Sequence, residues 1–216
     1  MPRYPIELDL TGRTALVVGL GSVGRRKAQG LLTVGAHVMG VDPLGLGADA
    51  SLDAVTILAE PYHRRHLQGV CLAFAASTPE VNRRVVADAR IAGIWVNSAS
   101  DPNAGDFHVP AVWRAGGITL AVSTSGASPA LAKSLRDQAA AALGEAAAGL
   151  AATLAELRPL VFARVENPEI RRKILADWGD PRWINVFAEG GAEAVREALS
   201  LIIDRELGNT FDETKT

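Results

Sequence analysis

Short apolar runs alternate with amphipathic segments along the first half of the chain. Mainly apolar runs bounded by polar or glycine residues are typical of strands buried in a parallel sheet. They predict strands at 14–18, 37–41, 55–58, 70–75 and 94–97. Residues 79–92 place apolar side chains at helical spacing behind Pro79, which indicates a crossover helix. We therefore predict an α/β fold built on a doubly wound parallel sheet.

The second half of the chain begins with two further β-like runs and becomes helical after Pro129. We predict strands at 106–110 and 117–123, separated by a helical turn at 111–115. Helical periodicity follows at 130–143, 145–157, 168–178 and 192–207. The fold is therefore expected to continue as a small α+β segment and to end in an all-helical C-terminal lobe. The predicted domains are 1–112, 113–145 and 146–216.

A glycine-rich turn follows the first predicted strand and opens the first predicted helix. It reads Gly19-Leu20-Gly21-Ser22-Val23-Gly24. In a dinucleotide site the first glycine permits a tight turn, the second lets the backbone approach a pyrophosphate, and the third lets the helix pack closely on the strand. The helix N-terminus presents free N–H groups and the positive end of its dipole to the phosphates. We therefore predict a Rossmann-like cofactor site at Gly19, Gly21, Ser22, Val23 and Gly24.

An acidic residue follows the second predicted strand. Asp42 stands where a carboxylate can accept hydrogen bonds from ribose hydroxyls, and its charge would repel a 2′-phosphate. The cofactor is therefore predicted to be NAD rather than NADP. Ligands collect at the carboxyl ends of parallel strands, so the predicted cofactor residues also include Pro43, Thr78 and Asn97.

Charge and hydropathy narrow the range of partners. The chain has 22 Lys and Arg residues against 24 Asp and Glu residues, so no bulk positive field would gather nucleic acid. No uninterrupted run of about 18 apolar residues is present. Residues 1–10 do not combine a basic end with a long apolar stretch. We expect a cytoplasmic protein with no membrane partner.

The cysteine and histidine residues indicate no structural metal. Cys71 lies in an apolar run and is interpreted as a buried small hydrophobe. Asp106 and His108 would share one face of a predicted strand. The four histidines nevertheless form no closed ligand set, and we predict no tightly held metal ion.

Several short motifs recur in the order and spacing of one enzyme family. They are Pro5-Ile6, Arg26-Lys27-Ala28, Ala75-Ala76-Ser77-Thr78, Val81-Asn82, Val96-Asn97, Phe107-His108-Val109-Pro110-Ala111 and the segment 123–132. With these motifs the chain resembles the precorrin-2 dehydrogenase and sirohydrochlorin ferrochelatase family, the N-terminal region of siroheme synthase. The segment 123–132 is the most specific, because a glycine turn alone occurs in many unrelated dehydrogenases.

The resemblance implies an oxidoreductase of siroheme biosynthesis that oxidises precorrin-2 to sirohydrochlorin and passes hydride to NAD⁺. It also implies a homodimer built by the middle segment and a tetrapyrrole cleft completed by the helical lobe. The substrate carries many carboxylates, which guanidinium groups can bind with two parallel hydrogen bonds. Candidate basic residues are Arg83, Arg84, Arg114, Lys133 and Arg136, although each also fits a solvated helix face.

One position departs from the family pattern. The family places an aspartate three residues after Asn97, with roles in proton transfer and metal chelation, and here that residue is Ser100. Three interpretations stay open: Asp101 takes over the role after a small loop shift, dehydrogenation needs no positioned base and chelation is absent, or neither activity survives. Asp101 also fits the opening of an Asx turn. We expect dehydrogenation to be retained and chelation to be doubtful.

The candidate catalytic residues are therefore Asp101, Ser100 and Ser128. Ser128 occupies a family position near the tetrapyrrole cleft and also fits as the N-cap of the helix behind Pro129. A second class of function stays open, a non-catalytic NAD- or tetrapyrrole-binding module that carries sirohydrochlorin to a separate chelatase. A dehydrogenase acting on another small acid is a third option, since the glycine turn alone would permit it.

Overall fold

The computed structural model describes residues 3–45, 52–101 and 103–213. The chain forms two compact units, Met1–Val109 and Pro110–Thr216. The strands of the first unit are β1 (Thr14–Val18), β2 (His37–Val41), β3 (Thr56–Leu58), β4 (Val70–Ala75) and β5 (Trp95–Ser98). Its helices are α1 (Ser22–Leu32) and α2 (Pro79–Ile91), and a short 3-10 turn lies at Arg64–Leu67.

The strands of the first unit form one parallel sheet in the order β3-β2-β1-β4-β5. The chain steps outward from β1 to β3 and then returns to the other side of β1 with β4, so the strand order reverses between β1 and β4. The prediction of a doubly wound parallel sheet is confirmed. In such sheets the ligand crevice lies outside the carboxyl ends of the strands, at the point of reversal.

Both faces of this sheet are covered, which explains its continuous apolar runs. Ala15 and Val17 of β1 pack in the cluster that includes α1, whereas Leu16 and Val18 pack in the cluster that includes α2. All four are at most 2% exposed. Successive side chains of a strand point to opposite faces, so β1 lies between two apolar layers. This packing fixes the position of the turn that follows Val18.

The second unit begins with an antiparallel hairpin, β6 (Ala111–Ala115) and β7 (Ile118–Val122). The predictions of a helical turn at 111–115 and of a strand at 106–110 are wrong. Gly116 and Gly117 have φ of 55° and 84°, and two consecutive residues with positive φ form the tight turn of a hairpin. The residues on either side of these glycines therefore pair with each other as strands.

Three described helices complete the second unit: α3 (Pro129–Arg164), α4 (Pro168–Asp177) and α5 (Arg182–Glu213). Non-helical residues interrupt α3 at Gly144 and α5 at Gly191. The two halves of α3 correspond to the helices predicted on either side of residue 144. The part of α5 before Gly191 was not predicted, although its Trp183 is 1% exposed in the core shared with α3 and α4. The prediction of an all-helical C-terminal region is confirmed.

By length and composition alone, α3 is long and apolar enough to cross a membrane. The sequence criterion of uninterrupted apolar residues missed this property. Core helices of folded proteins meet the same criteria, and α3 contacts α5, β6 and β7. Gly116 approaches α3 so closely that a Cβ on it would lie 1.7 Å from the carbonyl oxygen of Ala148. A small residue at position 148 therefore allows the hairpin turn to approach α3 closely.

Candidate functional site

The glycine turn between β1 and α1 leaves no room for side chains at two of its glycines. Gly19 has φ +91°, and a Cβ there would lie 2.5 Å from the carbonyl oxygen of Ala76. A Cβ on Gly24 would lie 1.8 Å from the carbonyl oxygen of Gly19. Gly21, by contrast, faces open space. The turn has the shape in which the second glycine leaves space for a pyrophosphate.

The first turn of α1 offers backbone N–H groups to that space. Gly21 is the N-cap residue, and no side chain of the described residues caps the helix. Ser22 and Val23 are exposed, and the N–H groups of a first helical turn have no partner within the helix. The helix dipole adds positive potential at the same point. The corner therefore suits an anion such as a pyrophosphate.

Two side chains fix the Leu20 peptide in the middle of the turn. Asp42 Oδ2 accepts a hydrogen bond from Leu20 N at 2.8 Å, and Arg25 Nε donates to the Leu20 carbonyl oxygen at 2.8 Å. Arg25 was not predicted as a site residue. Its place in the first turn of the helix, directly behind Gly24, is the sequence signal that could have indicated this contact.

Asp42 follows β2, and its carboxylate has a second backbone contact. Oδ1 accepts a hydrogen bond from Leu44 N at 2.9 Å. A carboxylate oxygen can accept more than one hydrogen bond, so both oxygens retain capacity for a ribose hydroxyl. Asp42 is half-buried and Pro43 beside it is exposed. The negative charge next to the turn favours NAD over NADP.

Replacing Asp42 with alanine is expected to weaken NAD binding by about 1.5–3 kcal/mol, the value of a hydrogen bond to a charged group. The affinity for NADP should fall less, because the same change removes the charge that repels its 2′-phosphate. Calorimetric titration with both nucleotides measures the difference, and Asp53→Ala at an exposed carboxylate is the matched control. An unchanged affinity for NAD would remove Asp42 from the ribose site.

Lys27 is a half-buried lysine in the second turn of α1. Lys27 Nζ is 5.7 Å from the centroid of the Phe74 ring, and that ring meets the Phe107 ring edge-on at 5.5 Å. Burial, together with the neighbouring Arg26, lowers the pKa of the Lys27 ammonium. Lys27 therefore lies over the aromatic pair on the side of the sheet that α1 covers.

Thr78 and Asn97 lie at the ends of β4 and β5 and have structural contacts there. Thr78 Oγ1 accepts a hydrogen bond from Val81 N at 3.4 Å as the N-cap of α2. Asn97 is 9% exposed, and its Nδ2 donates to the Phe107 carbonyl oxygen at 2.9 Å. Thr78 is exposed and can still contact a ligand. Asn97 therefore joins β5 to the segment around Phe107, which follows the loop after this strand.

A buried asparagine that was not predicted as a site residue joins the ends of β4 and β5. Asn82 is 1% exposed. Its Oδ1 accepts from Ser77 N at 2.8 Å, and its Nδ2 donates to Ser77 O at 3.1 Å and to Ser100 Oγ at 3.0 Å. Ser77 follows β4 and Ser100 follows β5. The sequence signal was a polar residue next to the apolar positions of α2.

Ser100 and Asp101 are both exposed in the loop after β5. Asp101 N donates to Ser98 Oγ at 3.3 Å, and Asp101 Oδ1 accepts from Asn103 N at 2.9 Å. The Asx turn anticipated for Asp101 is therefore present. Its second oxygen, Oδ2, accepts no hydrogen bond from the described residues and is available to a ligand.

Ser128 lies in the second unit, where it caps α3. Its Oγ accepts a hydrogen bond from Leu131 N at 3.2 Å. Thr124 Oγ1 accepts from Ser128 N at 3.1 Å and donates to Ser128 O at 3.0 Å, which closes the loop before the helix. Ser125 in this loop has φ 53°. Backbone strain of this kind clusters at sites that contact ligands.

The basic residues predicted to bind carboxylates lie in both units. The exposed ones are Arg83 and Arg84 on α2, Arg114 on β6 and Lys133 on α3. Arg136 is half-buried, pairs with Asp137 and donates to the Val112 carbonyl oxygen at 3.4 Å. Arg136 is therefore partly engaged within its own unit, whereas the other four can reach an external anion.

The described residues contain no group of three or more His, Cys, Asp or Glu side chains that could hold a metal ion. The face that Asp106 and His108 were predicted to share does not exist, because residues 106–110 do not form a strand. Asp106 Oδ2 instead accepts a hydrogen bond from Val96 N at 3.0 Å. Cys71 is half-buried and packs against the core of the first unit.

Two family models match the chain. A model described as NAD(P)-binding matches residues 6–111. A model described as the central part of a sirohaem biosynthesis protein matches residues 116–139. Together the two models cover more than half of the chain, and the first contains the whole glycine corner.

Similar curated proteins are siroheme synthases. The one from Nitrosomonas eutropha is 37% identical over 77% of this chain and 37% of its own length. The one from Neisseria meningitidis serogroup C is 36% identical over 99% of this chain and 44% of its own length. The chain thus spans less than half the length of these relatives. A solved structure described as SirC, precorrin-2 dehydrogenase, shares the fold with a TM-score of 0.72 and 24% identity, covering 92% of this chain and 99% of that chain.

Proposed function

Because the chain belongs to the sirohaem biosynthesis family, we propose that it is an NAD-dependent oxidoreductase that converts precorrin-2 to sirohydrochlorin. The observation that carries the proposal is the corner between β1 and α1, where Gly21 faces open space and Asp42 reaches the turn from the end of β2. The corner lies inside the segment that matches an NAD(P)-binding family. The similar siroheme synthases support a tetrapyrrole substrate.

The residues of the chain contribute binding and orientation to this reaction. Bound NAD supplies the hydride acceptor. Gly21 and the first turn of α1 bind the pyrophosphate, and Asp42 accepts hydrogen bonds from a ribose. Thr78 stands exposed at the end of β4, on the same edge of the sheet. Extension of the conjugated system supplies driving force, so holding the substrate within hydride reach accounts for most of the rate enhancement.

Asp101 is proposed as the proton acceptor. Its Oδ2 is without a hydrogen-bond partner among the described residues, and its loop leaves the carboxyl end of β5. A carboxylate in such a position can take the proton that leaves the macrocycle. The carboxylates of the substrate are proposed to bind exposed basic residues, among them Arg83 and Arg84 on α2. Ser128 stays a proposed tetrapyrrole-binding residue.

Metal insertion is not part of the proposed activity. Insertion requires that pyrrole N–H protons leave as the metal enters, and Ser100 stands at the position whose aspartate the family resemblance assigns to chelation. A separate chelatase would then convert the product to siroheme. Addition of Fe²⁺ or Co²⁺ to preformed sirohydrochlorin tests this step apart from the oxidation.

The second unit is proposed to make a homodimer in the cytoplasm. β6 and β7 pair with no third strand among the described residues, so the outer edges of this hairpin carry backbone N–H and C=O groups that can pair with another chain. Leu131 and Leu135, one turn apart on α3, are 50% and 42% exposed. Contiguous exposed apolar surface marks an interface. On this proposal, 1–112 binds NAD, 113–145 dimerises and 146–216 forms the helical lobe.

The oxidation is tested by incubating the purified protein with precorrin-2 and NAD⁺ without oxygen. Absorbance of NADH and of sirohydrochlorin should rise together, in equal amounts and over many turnovers. Formation of neither product, with intact folding shown by circular dichroism, would refute the proposal.

A binding module that carries sirohydrochlorin to another enzyme is the second candidate function. Two observations favour it: Ser100 stands where the family has an aspartate, and Asp101 Oδ1 is engaged in an Asx turn. A carrier would give a spectral shift on binding the tetrapyrrole and no stoichiometric NADH, so the same experiment separates the two.

A further inference from the structure

The hydrogen bonds of the Asn82 amide have a direction fixed by the backbone. Ser77 N donates to Oδ1 at 2.8 Å, so the side-chain oxygen faces that N–H and Nδ2 is the atom 3.0 Å from Ser100 Oγ. Nδ2 carries two hydrogens, which go to Ser77 O at 3.1 Å and to Ser100 Oγ. Ser100 Oγ is therefore an acceptor toward Asn82.

Ser98 Oγ lies 3.5 Å from Ser100 Oγ, and either hydroxyl could be the donor in this contact. Ser98 is 5% exposed, and its Oγ accepts from Asp101 N at 3.3 Å. Hydroxyl hydrogen bonds are strongest at about 2.7–2.8 Å, so the long contact with Ser98 leaves the Ser100 proton available to a closer acceptor. Asn82 Nδ2 occupies one lone pair of Ser100 Oγ and Ser100 is exposed, so this proton can be donated to a ligand on the solvent side.

This arrangement is continuous with the cofactor corner. Ala76 N donates to Val18 O at 2.8 Å, and the close approach of Gly19 to Ala76 places the turn against the Ala76–Ser77 peptide. Asn82 binds Ser77 through both N and O. Ser100 is therefore held at a fixed position relative to the turn that binds the pyrophosphate.

We propose that Ser100 donates a hydrogen bond to a carboxyl or amide oxygen of a bound ligand, and that Asn82 is the positioning residue that orients this hydroxyl. The identity of the ligand rests on the proposed function: the acceptor oxygen belongs to the carboxamide of NAD or to a carboxylate of the tetrapyrrole. Ser100 in this state binds an oxygen and removes no proton, which leaves proton transfer to Asp101.

Four variants separate this role from a purely structural one. Ser100→Ala removes the hydroxyl, and Ser100→Thr keeps it. Asn82→Asp keeps the acceptor for Ser77 N but places a carboxylate oxygen against Ser100, so the hydroxyl turns inward and donates to it. The same oxygen loses the hydrogen bond to Ser77 O, which measures 3.1 Å in the wild type, so the melting temperature of this variant should also fall. The fourth variant combines Ser100→Ala with Asn82→Asp. Ser134→Ala, at an exposed serine of α3, is the control.

Dissociation constants for NAD⁺ and for sirohydrochlorin are measured by titration, with melting temperatures for every variant. Ser100→Ala should weaken one of the two ligands by about tenfold, as the loss of one hydrogen bond would, and Ser100→Thr should bind like the wild type. Asn82→Asp should weaken the same ligand by a similar factor. The double variant should be no weaker than Ser100→Ala, because both changes remove one interaction. The ligand that loses affinity identifies the acceptor.

Unchanged affinity of Ser100→Ala for both ligands would overturn the proposal. If Asn82→Asp weakened both ligands equally as well as lowering the melting temperature, and the double variant lost still more affinity, the role of Asn82 would be structural rather than positioning. A wild-type protein that bound neither NAD⁺ nor sirohydrochlorin would contradict the proposed function together with this one, so the two failures are distinguishable.

Discussion

Replacing Gly24 with alanine is expected to abolish measurable NAD binding and to destabilise the first unit. The added Cβ would lie 1.8 Å from the carbonyl oxygen of Gly19. Backbone atoms cannot rotate away, so either α1 moves off β1 or the turn opens. Overpacking of this kind costs about 1–3 kcal/mol or more, and the displacement moves the N–H groups that bind the pyrophosphate. Thermal unfolding and nucleotide titration measure the two effects.

Two other glycines of the same segment provide the controls. Gly30 lies inside α1 with nothing within 4 Å of an added Cβ. Gly30→Ala should therefore leave NAD binding unchanged and stabilise the helix by roughly 0.5–1 kcal/mol. Gly21→Ala should cost at most about 1 kcal/mol of stability, the difference between glycine and alanine at an N-cap. It should weaken NAD binding, because its methyl group would occupy the pyrophosphate space. Wild-type affinity in Gly24→Ala would contradict the assignment of the corner.

Replacing Asp101 with asparagine is expected to lower kcat for precorrin-2 oxidation by about 100-fold, the typical contribution of a positioned general base. Asparagine keeps an Oδ1 that accepts the hydrogen bond from Asn103 N, which measures 2.9 Å in the wild type. The Asx turn is therefore preserved while the basic oxygen is lost. NAD affinity should not change. Steady-state kinetics at saturating NAD⁺, followed by NADH absorbance, measures the effect.

Asp53→Asn, at another exposed carboxylate, is the matched control for the loss of one negative charge. Asp101→Ala removes both the acceptor of the Asx turn and the basic oxygen. Its kcat, compared with that of Asp101→Asn, separates the contribution of the turn from that of proton transfer. A rate of Asp101→Asn equal to the wild type, with a slower Asp101→Ala, would assign Asp101 to the turn alone. The proton would then leave to solvent.

The parallel sheet could be predicted because its strands are buried on both faces. The bounds of β1, β2 and β4 agree with the apolar runs at 14–18, 37–41 and 70–75. Each run ends at a glycine, an acid or an alanine-serine turn that begins a new element. The glycine-rich turn could be predicted from the same pattern, because it lies between an apolar run typical of a strand and a segment with helical spacing.

The hairpin was missed although its turn has a local sequence signal. The pair Gly116-Gly117 stands between two β-like runs, which is typical of a hairpin turn. The strand conformation of residues 111–115 depends on Gly116 and Gly117 reversing the chain and on contacts with α3. Residues 106–110 form no strand, although Asp106 N donates to the Val96 carbonyl oxygen at 2.7 Å. Beyond that one backbone hydrogen bond, the side chains of Asp106 and Asn97 hold the segment against β5.

The contacts of individual polar side chains were the least accessible part of the site. Asn82 and Arg25 each bind backbone groups of a turn five residues before them in the chain. The Asn97 side-chain amide donates a hydrogen bond to the Phe107 carbonyl oxygen, ten residues further along the chain. Asp42 was found because a carboxylate behind the second strand has a recognised place in dinucleotide sites, whereas the amide bridge from Asn82 has no such sequence signature.

A crystal structure obtained with excess NAD⁺ tests the central claim most directly. The pyrophosphate should lie beside Gly21 at the first turn of α1, with a ribose hydroxyl within hydrogen-bond distance of the Asp42 carboxylate. A corner without nucleotide, while NAD⁺ occupies another part of the protein, would contradict the account.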